Sequence, residues 1–235
     1  MIEQELNNLS PEFGLLLSKL EELATTQPLQ AKGTSSGRFG LAIEEALGIE
    51  QNSSKSPDFM GIEIKTKASA KLQTLFSRTP SQFVNFTDSL SLLKRYGYQR
   101  DGRIKLYTSM NIHGDSLGFS ILSNSNSILV SKDGQDCIEF NHERLKEALH
   151  LKHKNSAFID IATTRGSRDF YLKSVCFCQT ARYENFLRLL EQGYIYLDLT
   201  LSIKNNKAKD HGYLWRIPGH KTTELFDSTS IHQLS

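Results

Sequence analysis

No run of apolar residues in this 235-residue chain approaches the roughly 18 that a bilayer-spanning helix requires. Cysteine is scarce too. Three residues, an odd number, provide no disulfide framework. Cys176 and Cys178 stand two apart in Ser174-Val-Cys-Phe-Cys-Gln, which as a strand would turn both thiols to one face. No CxxC and no neighbouring histidine supplies the further soft ligands of a zinc site, so buried, unbonded thiols are expected. The opening Met1-Ile-Glu-Gln-Glu-Leu-Asn-Asn is acidic and polar, not basic and then apolar as a secretory signal is, and a cytoplasmic protein is expected. Strong net charge is also lacking, at +2. Charge clustering matters more than that total. Residues 94 to 105 set Lys94, Arg95, Arg100, Arg103 and Lys105 against Asp101, and residues 204 to 221 set Lys204, Lys207, Lys209, Arg216 and Lys221 against Asp210.

A hydrophobic fraction of 38% at this length is enough for one domain with a sizeable core. Ser10-Pro11-Glu12 combines an N-cap, a first-turn proline and a dipole-matched acid, predicting a helix to about Ala24. Gly33-Thr-Ser-Ser-Gly-Arg-Phe-Gly is a turn without the GK[ST] ending of a phosphate loop. A second helix is expected over Phe39–Leu47, stopped by Gly48, followed by a polar loop from Ile49 to Ser56. Phe59–Ala68 alternates like a strand, with Leu72–Ser77 as its expected hairpin partner. A helix is expected between Ser81 and Tyr96, and strands over Ile104–Met110, Leu117–Leu122 and Ser127–Val130. Asn141 is expected to cap a helix to about Leu151, and strands to flank Arg165-Gly-Ser-Arg. Thr180 is the expected cap of a helix ending at Gly193, before strands Tyr194–Ile203 and Tyr213–Ile217. The order of elements is an α/β pattern.

The chemistry concentrates in Ser56-Pro-Asp-Phe-Met-Gly-Ile-Glu-Ile-Lys-Thr. Phosphodiester hydrolysis needs a hard cation on oxygen ligands, an oriented water and stabilisation of the charge that grows on phosphorus. Asp58 at the mouth of a strand and Glu63 within it can supply carboxylates to one Mg²⁺. Lys65, two residues past Glu63 and about 7 Å along the same face, can reach the attacking water or the phosphate. Glu44 in the upstream helix is a further candidate, because an inward carboxylate is costly unless it meets a cation. Leu41, Glu44 and Leu47 could share a face that Glu45 leaves. Asp-x₄-Glu-x-Lys alone is also what a solvated strand of alternating charge produces. The preceding proline, the flanking isoleucines and the helical glutamate tell against that reading.

These pieces resemble the MvaI/BcnI family of restriction endonucleases and, more distantly, the mismatch-repair nicking enzyme MutH. Gly40 to Glu44 followed by Pro57-Asp58 resembles the family's helix glutamate and PD element, and Gly61-Ile-Glu-Ile-Lys-Thr its catalytic strand. Leu72-Gln-Thr-Leu-Phe-Ser-Arg-Thr-Pro resembles the strand and turn after it, and Arg95-Tyr-Gly-Tyr an Arg-(Tyr/Phe)-Gly element. Asp210-His-Gly-Tyr-Leu-Trp-Arg-Ile-Pro resembles a C-terminal segment used to read DNA. The resemblance implies a PD-(D/E)xK fold, a mixed central sheet flanked by helices. It implies one nuclease domain over 1–235, with a catalytic lobe over roughly 30–110 and a recognition lobe mainly in the C-terminal half. Asp58 and Glu63 become metal ligands for Mg²⁺, Lys65 the catalytic lysine and Glu44 a supporting acid. Asp210, His211, Arg216, Arg95 and Tyr98, on the matched segments, become candidates for contact with double-stranded DNA, and Lys207 and Lys209 join them as part of the basic run over residues 204 to 221.

A monomer cutting a short C/G-rich duplex site is implied, with a cognate DNA methyltransferase as functional partner. Thr200 departs from the family, some members of which place an arginine there. The competing readings are a MutH-like nicking enzyme and a DNA-binding module without catalysis. Arg216 could instead pair with a nearby acid, Trp215 is expected in the core, and Tyr96 and Tyr98 fit either packing or a DNA groove. His113, His142, His150, His153, His220 and His232 lack metal-ligand spacing and are expected to be structural or on the surface.

Overall fold

Residues 10–26, 28–34, 37–49, 57–67, 72–164, 166–204 and 207–234 are described by the computed structural model. Residues 50–56 of the expected polar loop, and residues 35, 36 and 165 of the two expected turns, lie outside them. The chain divides into two compact units, each assembled from separate stretches: Met1–Lys71, His150–Ala181 and Phe226–Ser235 in the first, Leu72–Leu149 and Arg182–Leu225 in the second. Among the described residues no helix is long and apolar enough to cross a membrane.

The first unit is built on a mixed sheet. Helix α1 (Pro11–Thr25) begins as its sequence predicts, with the Ser10 hydroxyl accepting from the Phe13 amide at 3.4 Å. Strand β1 (Leu29–Gln30) and helix α2 (Arg38–Ala46) follow, and Gly48 with φ +74° ends the helical stretch. Strand β2 (Ile62–Lys67) carries the sequence motif. Its partner is not the next strand in sequence but β10 (Asn155–Thr163), which lies parallel to it with Ser156 opposite Glu63. Strand β11 (Asp169–Ala181) returns antiparallel to β10, and β14 (Phe226–Gln233) and β1 pair with its other edge. One face of the sheet is apolar because β2 alternates. Ile62 and Ile64 are buried with Ala157, Ile159, Val175 and Phe177, against Phe13, Leu16 and Leu20 of α1 and Phe39 and Ile43 of α2. Each of the larger side chains contributes about 1.5–3 kcal/mol on burial. Leu41, expected on the inner face of α2, is 39% exposed, because Phe39, Ile43 and Leu47 define that face instead. Cys176 and Cys178 do share a face of β11, their sulfurs 3.7 Å apart and unbonded.

The second unit holds two antiparallel sheets. In one, the order is β3 (Leu72–Ser77), β13 (Lys207–Pro218), β12 (Tyr196–Lys204), β6 (Arg103–Met110) and β5 (Tyr98–Arg100). The other is β4 (Gln82–Phe83), β9 (Gln135–Asn141), β8 (Ser127–Lys132) and β7 (Phe119–Ser123). The hairpin expected between Phe59–Ala68 and Leu72–Ser77 is therefore corrected: β3 pairs with β13, Phe76 opposite Trp215. Both strands have satisfactory partners elsewhere, and adjacency in sequence does not choose among them. Trp215 is fully buried, with the rings of Phe140 and Phe186 at 5.2 and 5.6 Å.

Of three expected helices, two change at their starts or caps and one keeps its predicted cap. The helix expected from Ser81 begins only at Ser89, as α3 (Ser89–Tyr96). Gln82–Phe83 pairs with β9, and the Asp88 carboxylate takes the Ser91 amide while the Ser91 hydroxyl takes the Asp88 amide. Gly97 follows, where a Cβ would meet the Leu93 carbonyl at 2.4 Å and Ile104 at 2.6 Å. Asn141 caps α4 (His142–His153) by accepting from the Glu143 amide, as its position predicts. Thr180 caps nothing. It continues β11 with φ +57°, held by its amide on the Lys154 carbonyl, and α5 (Tyr183–Glu191) starts later without a side-chain cap. Pairing with β14 carries the strand past the point where threonine would otherwise favour a cap.

Candidate active site

The turn before β2 creates the site. Met60 and Gly61 both have positive φ, +45° and +84°, the signature of a two-residue type I′ reversal. Phe59 and Ile62 exchange amide-to-carbonyl hydrogen bonds of 2.9 and 2.7 Å across it. The reversal folds Asp58 back along the strand, where its Oδ2 accepts from the Ile64 amide at 3.0 Å. Two carboxylates separated by four residues in the motif thus flank one stretch of backbone.

Glu63 is fully enclosed, while Lys65 on the same face keeps 31% of its side chain exposed. The Lys65 ammonium donates to Glu63 Oε1. A second ammonium, that of Lys152 in the last turn of α4, lies 2.7 Å from Glu63 Oε2. That approach is an ion pair and not an aligned hydrogen bond, since among the described residues Oε2 has no hydrogen-bond partner of proper geometry. Glu44 of α2 is half-buried and joins the same electrostatic cluster. Burial, then the Asp58 carboxylate, raise its pKa above the ordinary value, with Lys65 opposing them. Asp58 is raised likewise, by burial first and by Glu63 next, against the Ile64 amide and the two lysines. Glu45 is exposed and pairs with Lys32 at 2.6 Å, apart from the cluster, as the helix spacing predicts.

Among the described residues no three acidic, histidine or cysteine side chains converge as a complete ligand set. Mg²⁺ does not need one. It is held through one or two carboxylates and retains waters and substrate oxygens. Crowded carboxylates whose charges oppose one another, and an enclosed Glu63 oxygen without an aligned donor, fit a hard cation held by Asp58 and Glu63.

A sequence model of the MvaI/BcnI restriction endonuclease family matches residues 17–226. The chain belongs to that family. A restriction endonuclease fold is evident in the structure as well. The solved complex of restriction endonuclease MvaI with its cognate DNA substrate matches with TM-score 0.79 at 20% identity, over 97% of this chain and all 100% of MvaI. MvaI in the absence of DNA matches with TM-score 0.58 at 21% identity, over 95% and 98% of the respective chains. No curated protein sequence matches. Family membership makes this chain a DNA-cleaving restriction endonuclease.

The sequence motif names Asp58, Glu63, Lys65 and Glu44 as candidates, and the structure sets Lys152, far downstream in sequence, beside Glu63. Only the parallel pairing of β10 with β2 carries the end of α4 to Glu63. No local pattern marks it beyond a basic residue in a helix's last turn, ordinarily explained by the helix dipole.

The candidate DNA-contacting residues lie in the second unit. Arg95, at the end of α3, is exposed over the ring of Tyr96 at 5.9 Å. The Tyr98 hydroxyl donates to the Tyr107 carbonyl at 3.0 Å, and its ring lines a cleft of about 430 Å³ with Tyr107, Ser109 and Asp115. Lys207 is exposed at the start of β13. The side chains of Lys209, Asp210 and His211 lie outside the described residues. Thr200 donates to the Gly212 carbonyl at 2.7 Å. Arg216 is engaged by protein, with Nη1 on Asp198 Oδ2 and Nη2 on the Leu72 carbonyl, each at 2.6 Å. The pairing weighed against base contact for this residue is the one present here.

Proposed function

We propose that this protein is a Mg²⁺-dependent type II restriction endonuclease that hydrolyses phosphodiesters of double-stranded DNA at a short, C/G-rich site. The observation that carries this reading is the pairing of Lys65 with the enclosed Glu63, with Asp58 and Glu44 coupled to both by charge. Asp58 and Glu63 would hold the cation. When bound, it neutralises charge on the scissile phosphate and polarises it for attack. Lys65 acts beside it, its partly exposed ammonium orienting a water for in-line attack or contacting a phosphate oxygen as charge builds there. Glu44, coupled by charge to Asp58, adds negative charge that favours cation entry. A module that only bound DNA would gain nothing by gathering acidic side chains around Lys65, and this disfavours a non-catalytic role.

For recognition, Lys207 suits a phosphate, which rewards a point charge without demanding geometry. Arg95 and Tyr98 are the candidates for a groove contact. Arg216 can read guanine only after leaving Asp198. The MvaI complex supports duplex DNA as the ligand.

The test is digestion of a fully sequenced phage DNA followed by sequencing of the ends. Mg²⁺ or Mn²⁺ should support cutting at one short site, and Ca²⁺ should allow binding with little cutting. Lys65→Ala should lower cleavage by several orders of magnitude. Full activity in excess EDTA, or wild-type rates in Lys65→Ala, would refute the assignment.

A further inference from the structure

We infer that Lys152 is a positioning residue that holds the enclosed Glu63 carboxylate in the absence of a cation and yields its charge compensation when one arrives. The inference rests on the reading of Glu63 as a cation ligand.

The two lysines at Glu63 are not equivalent. Lys65 comes from the strand of Glu63 itself, takes Oε1 and is the more exposed, 31% against 21%. Lys152 comes from the end of α4, takes Oε2, and has its backbone fixed by its neighbours. His153 is fully buried, with Nδ1 2.9 Å from the Ser156 hydroxyl and its ring against Phe226 at 6.3 Å. Ser156 is in turn the residue opposite Glu63 in the parallel pair. The helix end and β2 are therefore tied together through backbone pairing, and Lys152 is delivered to Oε2 by that tie.

A fully enclosed carboxylate without compensating charge is strongly unfavourable, so removing one partner destabilises the folded state. Lys65 is the residue that must be available to substrate, and it cannot serve both as the permanent counter-charge of Glu63 and as a group for water or phosphate. Lys152, directed at the other oxygen, removes that conflict. It also opposes cation binding, since two like charges within a few ångströms repel even at an effective dielectric near 20.

The experiment measures thermal unfolding in EDTA, and Ca²⁺ affinity by calorimetry, for the full chain and for Lys152→Met, Lys152→Arg, Glu63→Gln and Glu63→Gln/Lys152→Met. In EDTA, Lys152→Met should lower Tm by about 3 °C or more, while the double variant should be more stable than the sum of the single effects. Lys152→Met should nonetheless bind Ca²⁺ more tightly, by about ten-fold or more, because a cation near the site has been removed. Lys152→Arg should restore both readouts toward wild type.

Additive losses in the cycle would overturn the inference, since a lysine that merely packs gives them, and so would weaker Ca²⁺ binding by Lys152→Met, since losing a charge that opposes the cation cannot weaken its binding. Should Lys152→Met fail to fold, a folded double variant supports the coupling and an unfolded one refutes it. Cleavage by wild type in EDTA would sink the metal-nuclease reading while leaving the EDTA cycle to judge Lys152 by itself.

Discussion

Carboxylates dominate the residue scale, because the site concentrates negative charge in partly dry surroundings. Burial and Glu63 raise Asp58, and burial and Asp58 raise Glu44. Between their ordinary and their raised values the native state holds more protons at these groups than the unfolded chain does. Their contribution to stability is fully present below the ordinary carboxylate value and is lost as pH rises through the raised ones. Asp58→Asn, which removes one of the charges, should therefore be more stable than wild type in EDTA near neutral pH. The difference in Tm between them should shrink as pH is lowered from neutral toward the ordinary carboxylate range. A difference independent of pH would contradict the electrostatic account. Arg216 shows a related ambiguity. Its fork is suited to guanine, but the same fork suits Asp198, and local sequence carries no preference between the two.

At the scale of elements, the reversal at Met60-Gly61 does more for the site than either carboxylate alone. Without it, Asp58 would continue away from Glu63 along an extended chain. Gly61, at φ +84°, takes a backbone conformation that strains any side chain, and Gly61→Ala should cost about 1–2 kcal/mol. That is roughly 2–8 °C in Tm for a protein of this size. Cleavage should fall further than stability, measured as rate per folded enzyme, because Asp58 loses its register with the Ile64 amide. Wild-type rate and Tm in Gly61→Ala would show that the turn does not position the acid. Strand β2 then completes the geometry by alternation alone, with Ile62 and Ile64 in the core and Glu63 and Lys65 on the opposite face.

For the whole molecule, assembly and the order of strand cleavage are the open functional variables. A short near-palindromic target ordinarily calls for a two-fold dimer, one site per strand. The monomer that we expect from the family resemblance has one set of Asp58, Glu63 and Lys65 and must cut the two strands in turn. Nicked plasmid should accumulate before linear product, at a rate linear in enzyme concentration. A dimeric DNA complex in sedimentation, with no nicked intermediate, would contradict this. Lys207→Ala should weaken binding to all sequences alike and make the salt dependence shallower by about one unit.

The sequence by itself determined the local features. The Ser10 cap, the break at Gly48, the alternation of β2 and the candidate set Asp58, Glu63, Lys65 and Glu44 are all legible there, because each depends on residues within one turn or one strand of its neighbours. Partnership was left to the tertiary structure. Strand β2 lies against β10 and not β3, Thr180 stays in a strand because β14 is beside it, and Lys152 reaches Glu63 from far along the chain. The physical reason is that a strand edge or a buried carboxylate accepts any partner of suitable geometry. The choice belongs to the packing free energy of the whole chain, which no local pattern records.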